Sequence, residues 1–180
     1  MKHDYEARHL NIAAFAHAQG TFEGVEKLIS LERLAGEAQG AIESTVVQFC
    51  AQGSLRADGV AAEEVWLTLS ARVALPLVCQ RCLAPVAVPV EFEREFRFVA
   101  SEEIAEAQDE ACEEDVLVLS RDFNLLELVE DELIMALPVV PKHEECPVAP
   151  KLQVADPEFD EDMTEKPNPF AVLEQLKNRH

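Results

Sequence analysis

The stretch VWLTLSARV, residues 65–73, decides the fold because apolar and polar side chains alternate along its whole length. A period of two residues places successive side chains on opposite faces of a β-strand, so one face of this stretch meets a core. The apolar side carries Val65, Leu67, Leu69, Ala71 and Val73, and the other side carries Trp66, Thr68, Ser70 and Arg72. The stretch therefore predicts a half-buried strand.

Residues 45–55 and 86–98 alternate in the same way and predict further antiparallel strands. Gly53 indicates a bulge or bend in the first of these runs, and Pro89 favours an edge or strand-start position in the second. A short apolar run at residues 116–119 predicts one more strand.

Asn124, with Glu127 three residues later, predicts the start of an acidic amphipathic helix that ends before Pro138. Strands gathered in the first two-thirds of the chain, with helices after them, predict an α+β fold. We expect an antiparallel sheet of several strands, this acidic helix and a short C-terminal helix.

Charge density predicts how the chain is divided. We expect residues 1–150 to form a single α+β domain with a flexible acidic loop at 101–115, because eight residues of that segment are acidic. Residues 151–167 predict an acidic linker. Residues 168–180 predict a C-terminal docking helix, which is too short to be stable without docking on a surface. Asn168 and Pro169 suit its N-cap and first position, and Phe170 and Leu173 lie on its apolar side.

Composition favours a protein partner over non-specific RNA binding. The 180 residues include 35 acidic and 15 basic ones, and the net charge of −20 repels a phosphate backbone. The longest apolar run, residues 133–141, is too short to span a bilayer, and residues 1–8 lead into no export signal. We therefore expect a cytoplasmic protein with no membrane association.

Catalytic motifs are lacking in the sequence. Six glycines include no phosphate-binding loop, and four of the five histidines, all but His143, lie near the termini. We expect no enzyme activity and no small-molecule substrate.

Two short motifs carry metal-ligand chemistry. Cys79 and Cys82 are separated by two residues in a predicted strand connection, and His143 and Cys146 have the same spacing after a proline-rich segment. Together they predict a structural Cys3His zinc site. Free thiols in loops are the alternative, whereas a redox pair is disfavoured because no βαβ pattern surrounds the cysteines.

Basic and acidic side chains near these motifs offer further candidate sites. Arg81, between the two cysteines, is the best single candidate for an RNA phosphate contact. For the strand arginines we favour ion pairs with Glu91, Glu93 and Glu95, as cross-strand geometry permits. The acidic triplet Glu130, Asp131 and Glu132 is either a recognition surface for a basic ligand or the solvated face of its helix.

Two segments resemble the YceD family: LVEDELIMALPVVP at residues 128–141 and KPNPFAVL at residues 166–173. The resemblance implies a role in accumulation of the large-subunit ribosomal RNA, as in bacteria and chloroplasts. Some family members have a Cys-x-Arg-Cys knuckle and a later cysteine pair, similar to a split zinc ribbon. Here His143 stands in place of the first cysteine of the later pair.

We therefore expect a non-enzymatic factor for 23S ribosomal RNA accumulation and large-subunit assembly. Its expected partners are a large-subunit precursor, a basic ribosomal protein or 23S ribosomal RNA. The resemblance favours a partner-binding role for the triplet at 130–132 and for Asn168, Pro169, Phe170 and Leu173. An RNA-processing enzyme or nuclease cofactor is the alternative, and a scaffold that binds a processing enzyme through its C-terminal helix is a third hypothesis.

Overall fold

The computed structural model describes residues 5–57, 63–109, 112 and 114–149. The chain divides into two compact units, Met1–Pro147 and Val148–His180. The predicted acidic linker at 151–167 and the predicted docking helix at 168–180, with Asn168, Pro169, Phe170 and Leu173, lie outside the described residues. Both stay predictions.

A five-stranded sheet forms the centre of the first unit and confirms the predicted α+β fold. Its strands lie in the order of the chain: β1 (Thr21–Lys27), β2 (Val46–Arg56), β3 (Glu64–Val78), β4 (Pro85–Val99) and β5 (Asp115–Val118). The first four strands are antiparallel, and β5 pairs in parallel with residues 96–99 of β4. Among the described residues, β4 is paired at Pro89 with β3 alone, which confirms its predicted edge position.

In the part of the chain that the structure describes, four α-helices accompany the sheet: α1 (Ile12–His17), α2 (Glu32–Glu37), α3 (Glu102–Asp109) and α4 (Leu125–Met135). Asn124 caps α4, because its Oδ1 accepts the backbone N–H of Glu127 at 3.4 Å. This cap is the one that the sequence predicts. No helix in the described part of the chain is long and apolar enough to cross a membrane.

The core lies on one face of the sheet. Leu69 and Leu75 of β3 are fully buried there with Leu34 of α2 and Val129 and Leu133 of α4. Burying such side chains is the main favourable contribution to folding. The core thus fixes α2 and α4 against the middle of the sheet.

Gly53 forms no bulge, although the sequence indicates a bulge or bend at that position. It pairs in register with Leu67. A Cβ atom at Gly53 would lie 2.8 Å from the Cα of Ala16 and 2.7 Å from the ring of Phe15. The residue is therefore a glycine because α1 packs closely on β2.

The prediction of a flexible loop at 101–115 is wrong for residues 102–109, which form α3. Glu102 and Glu103 lie in its first turn, where the helix dipole favours negative charge, and Ala105 is buried. At the end of the same segment, Asp115 begins β5. The prediction from charge density alone was wrong because acidic residues at the N-terminal end of a helix stabilise it.

Candidate metal centre

The hairpin between β3 and β4 positions the first pair of cysteines. The backbone N–H of Cys79 donates to the carbonyl of Ala84, and that of Leu83 donates to the carbonyl of Cys79, both at 2.9 Å. Leu83 has a φ of +61°, a left-handed conformation that reverses the chain within the turn. This tight turn places the thiols of Cys79 and Cys82 close together.

The segment after α4 supplies the other two side chains. It is attached to the hairpin by the backbone N–H of Gln80, which donates to the carbonyl of Pro141 at 2.8 Å. His143 and Cys146 follow directly and reach the cysteines of the turn. The structure thus joins the two motifs that the sequence predicts to form one site.

The four candidate ligand atoms lie within 4.8 Å of one another, and two of their separations match a tetrahedral zinc site. The sulfurs of Cys79 and Cys146 are 3.9 Å apart, and the sulfur of Cys82 is 3.4 Å from Nδ1 of His143. With zinc–sulfur bonds of about 2.3 Å and zinc–nitrogen bonds of about 2.0 Å, tetrahedral geometry gives separations of about 3.8 Å and about 3.5 Å. The donor set and its spacing fit zinc.

A hydrogen bond fixes the orientation of the His143 ring. Its Nε2 lies 3.0 Å from the carbonyl oxygen of Pro85, which accepts a hydrogen bond from the N–H at that nitrogen. The lone pair of the neutral ring is then on Nδ1, the atom that faces Cys82. Metal-bound histidines usually have such a partner on the second nitrogen, and it sets the tautomer.

The surroundings of Cys79 favour its thiolate over its thiol. Cys79 is fully buried, and burial disfavours its charged form. Backbone hydrogen bonds from His143, Cys82 and Arg81 outweigh that effect and lower the pKa of Cys79 to about 5. Because zinc binds the thiolate, a sulfur that is already ionised at neutral pH suits a metal ligand.

Arg81 is exposed, and its guanidinium contacts the segment that carries His143 and Cys146. Its Nε–H donates to the sulfur of Cys146 at 3.0 Å, and its Nη2 donates to the carbonyls of His143 at 2.8 Å and Glu144 at 3.1 Å. The hydrogen bond to Cys146 and the charge of that thiolate raise the pKa of Arg81. The guanidinium thus already binds its own chain, and the RNA contact expected of Arg81 stays a prediction.

The ligand set indicates a structural site. Four protein side chains complete tetrahedral zinc coordination, whereas catalytic zinc sites keep one position for water or substrate. Cys79, Cys82, His143 and Cys146 would hold the ion, which would cross-link the β3–β4 turn to the segment after α4. Such a cross-link stabilises a loop pair that has little apolar core of its own.

The acidic triplet of α4 is mostly turned into the protein. Glu130 is 7% exposed, and its Oε1 accepts the backbone N–H groups of Arg33 at 2.7 Å and Leu34 at 3.0 Å. Its Oε2 accepts from the guanidinium of Arg33, which also pairs with Asp131. Glu130 thus satisfies the free N–H groups at the start of α2 from another helix.

Glu132 makes the second connection from α4. It is 6% exposed and pairs with Arg94 at 3.0 Å, and Arg94 also pairs with Asp115 of β5. Neither expectation for the triplet fits Glu130 and Glu132. They are neither a solvated face nor a free recognition surface, because arginines of the same chain bind them.

One of the expected carboxylates, Glu95, has an arginine partner, whereas the other strand arginines bind residues outside the expected set. Arg56 pairs with Glu95, and Arg97 pairs with Glu64 at 3.0 Å. Arg72 donates to Gln48 at 2.9 Å. Arg94 lies two residues from Phe92 and two from Phe96, so it shares the core side of β4 with them. That position is the signal that could have predicted a buried carboxylate partner.

The fold and the site together define an α+β protein whose β3–β4 hairpin contributes two cysteines to a four-residue cluster that could hold a structural metal ion. The family model described as "Large ribosomal RNA subunit accumulation protein YceD" matches residues 67–177. The chain therefore belongs to this family. The match includes both ligand pairs and α4, the features that hold the hairpin and the core together.

A curated relative agrees with this assignment. The chain is 38% identical over 110 residues to a Haemophilus influenzae protein named "Large ribosomal RNA subunit accumulation protein YceD". The matched segment covers 60% of this chain and 63% of that relative, which is less than two thirds of the relative's length. No solved structure matches the chain significantly.

Proposed function

We propose that this protein promotes accumulation of the large-subunit, 23S ribosomal RNA and assembly of the large ribosomal subunit, and that it acts by binding and not by catalysis. The family and the name of its Haemophilus relative support the pathway. The closed Cys3His ligand set supports the proposal that the protein is not a catalyst, because four protein ligands would leave no coordination position for a reacting water.

The partner in this proposal is a basic ribosomal protein, alone or on a large-subunit precursor in the cytoplasm. A net charge of −20 attracts a cationic protein and repels free RNA. Since Glu130 and Glu132 are buried, the carboxylates available for this contact lie elsewhere. Glu102, Glu103 and Glu106 of α3 are exposed, as are Glu91 and Glu93 of β4.

The C-terminal segment takes a second role in the proposal. Asn168 and Pro169 would begin a helix whose Phe170 and Leu173 contact an apolar surface of the partner. Contacts of this kind are less sensitive to salt than ion pairs are. Binding that persists at high ionic strength would therefore depend on residues 168–180, and binding lost at high ionic strength would depend on the carboxylates.

The test is gradient sedimentation of the tagged protein from growing cells, after cross-linking in the cells. We expect the protein to move with large-subunit precursors and to be cross-linked to a basic ribosomal protein. Absence from every ribosomal particle would refute direct action on the subunit. Cross-links to ribosomal RNA alone, with altered RNA ends in cells that lack the protein, would favour the RNA-processing enzyme or nuclease cofactor.

A further inference from the structure

A groove crosses the sheet face that is opposite to the core. It has a volume of about 980 Å³ and extends from β1 to β4. Cys50 of β2 and Ser70 of β3 are opposite each other in the register and form its floor. Glu23 of β1 and Glu93 of β4 continue the same row at its two ends. Two small residues between two long ones make this part of the sheet concave.

Charges on this sheet face are distributed unequally. Near the other end of the same face, Glu95 pairs with Arg56 and Glu64 pairs with Arg97. In the groove, Glu23, Glu91 and Glu93 are exposed and have no ion pair among the described residues. The basic side chain in the groove, Arg72, lies opposite Glu91 in the register but donates to Gln48. Three carboxylates are therefore left without a cation.

The groove matches the length of a short extended peptide. Its four strands are separated by three gaps of about 4.8 Å, so the row from Glu23 to Glu93 is about 14 Å long. At about 3.4 Å per residue, four extended residues cover that distance. Burial and the charge of Glu23 raise the pKa of Cys50, which is consistent with a carboxylate close to the groove floor.

We infer that this groove binds an extended lysine- or arginine-rich segment of a partner protein, with its cations on Glu23, Glu91 and Glu93. The inference rests on the proposed function and specifies which surface of the acidic protein meets the basic partner. A protein segment fits better than RNA because three unpaired carboxylates would repel phosphates.

The test uses the full zinc-loaded chain and a fluorescein-labelled peptide of alternating lysine and alanine, with binding followed by fluorescence anisotropy. The test variant carries Glu91→Gln and Glu93→Gln. The matched control carries Glu37→Gln and Glu43→Gln, at the end of α2 and in the loop after it, which remove the same number of exposed charges outside the groove. A second measurement follows alkylation of Cys50 by mass spectrometry, with and without the peptide.

We expect the groove variant to bind the peptide about five-fold more weakly, and the control to change by less than about two-fold. The peptide should also slow alkylation of Cys50. Equal weakening in both variants would overturn the inference, since only net charge would then matter. Unchanged alkylation of Cys50, or preferential binding of a single-stranded RNA oligonucleotide, would overturn it as well.

The ribosomal role is measured separately. If the peptide binds in the groove but cells without the protein keep normal ribosomal RNA, the groove inference holds and the proposed function fails. If ribosomal RNA is lost but the groove variant restores it and binds the peptide normally, the proposed function holds and the groove inference fails.

Discussion

The guanidinium of Arg81 lies 3.0 Å from the sulfur of Cys146, so a residue between two metal ligands contacts a third one. A zinc ion with three thiolates and one neutral imidazole carries one net negative charge. Arg81 would supply the compensating positive charge to such a site, and it binds two carbonyls of the second ligand segment. It would therefore support the site without coordinating the metal.

Arg81→Gln should lower zinc affinity about ten-fold while one zinc ion per chain still binds at saturation. Loss of a contact to a metal ligand typically has an effect of this size. Competition with a chromophoric chelator measures the affinity. Arg72→Gln is the matched control, because Arg72 lies away from the knuckle and bonds to Gln48. Equal affinity in both variants would contradict the role of Arg81.

Cys82→Ser should abolish stoichiometric zinc binding and lower the melting temperature of the purified chain. A hydroxyl is a poor zinc ligand, and the free energy of metal binding contributes to folding. Metal analysis and thermal unfolding measure the two effects. Cys112→Ser should keep its zinc, since Cys112 lies outside the cluster. A wild-type chain that binds no zinc would refute the site.

Glu130→Ala should lower the free energy of unfolding by about 2 kcal/mol. The substitution removes hydrogen bonds from a buried carboxylate to two backbone N–H groups and to Arg33. Urea denaturation measures the change. Asp131→Ala is the control and should cost less than about 1 kcal/mol, because both its partner and its own side chain are about half exposed. Similar losses would contradict an internal role for Glu130.

Gly53→Ala should destabilise the protein by about 2 kcal/mol, because its Cβ would meet the backbone of α1. Gly36→Ala is the contrasting substitution, since a Cβ at Gly36 of α2 meets nothing within 4 Å. Alanine there should stabilise the helix by up to about 1 kcal/mol. Urea denaturation of both variants tests the pair, and a neutral Gly53→Ala would contradict the close packing of α1 on β2.

Local patterns in the sequence predicted much of this structure. The alternation at 65–73 gives β3, and Asn124 begins α4, because both signals depend on neighbouring residues alone. The four metal ligands were also predictable, since their spacing restricts them to two turns that a single ion can join. Such features need no knowledge of the tertiary structure.

Contacts between distant segments were not predictable in the same way. Arg33 and Glu130 are 97 residues apart, and no local pattern relates them. The contact of Arg81 with Cys146 was not expected, because it depends on where a segment 65 residues later returns to the hairpin. Acidic side chains were assigned to the surface by type, although Glu130 and Glu132 are buried and pair with arginines.

The central claim is that this metal-knuckle protein supports accumulation of large-subunit ribosomal RNA by binding. The most direct measurement is the ratio of 23S to small-subunit ribosomal RNA in cells depleted of the protein and supplied with variants. The account predicts a lowered ratio that wild type and Cys112→Ser restore and that Cys82→Ser does not. A normal ratio in depleted cells, or full restoration by Cys82→Ser without bound zinc, would contradict it.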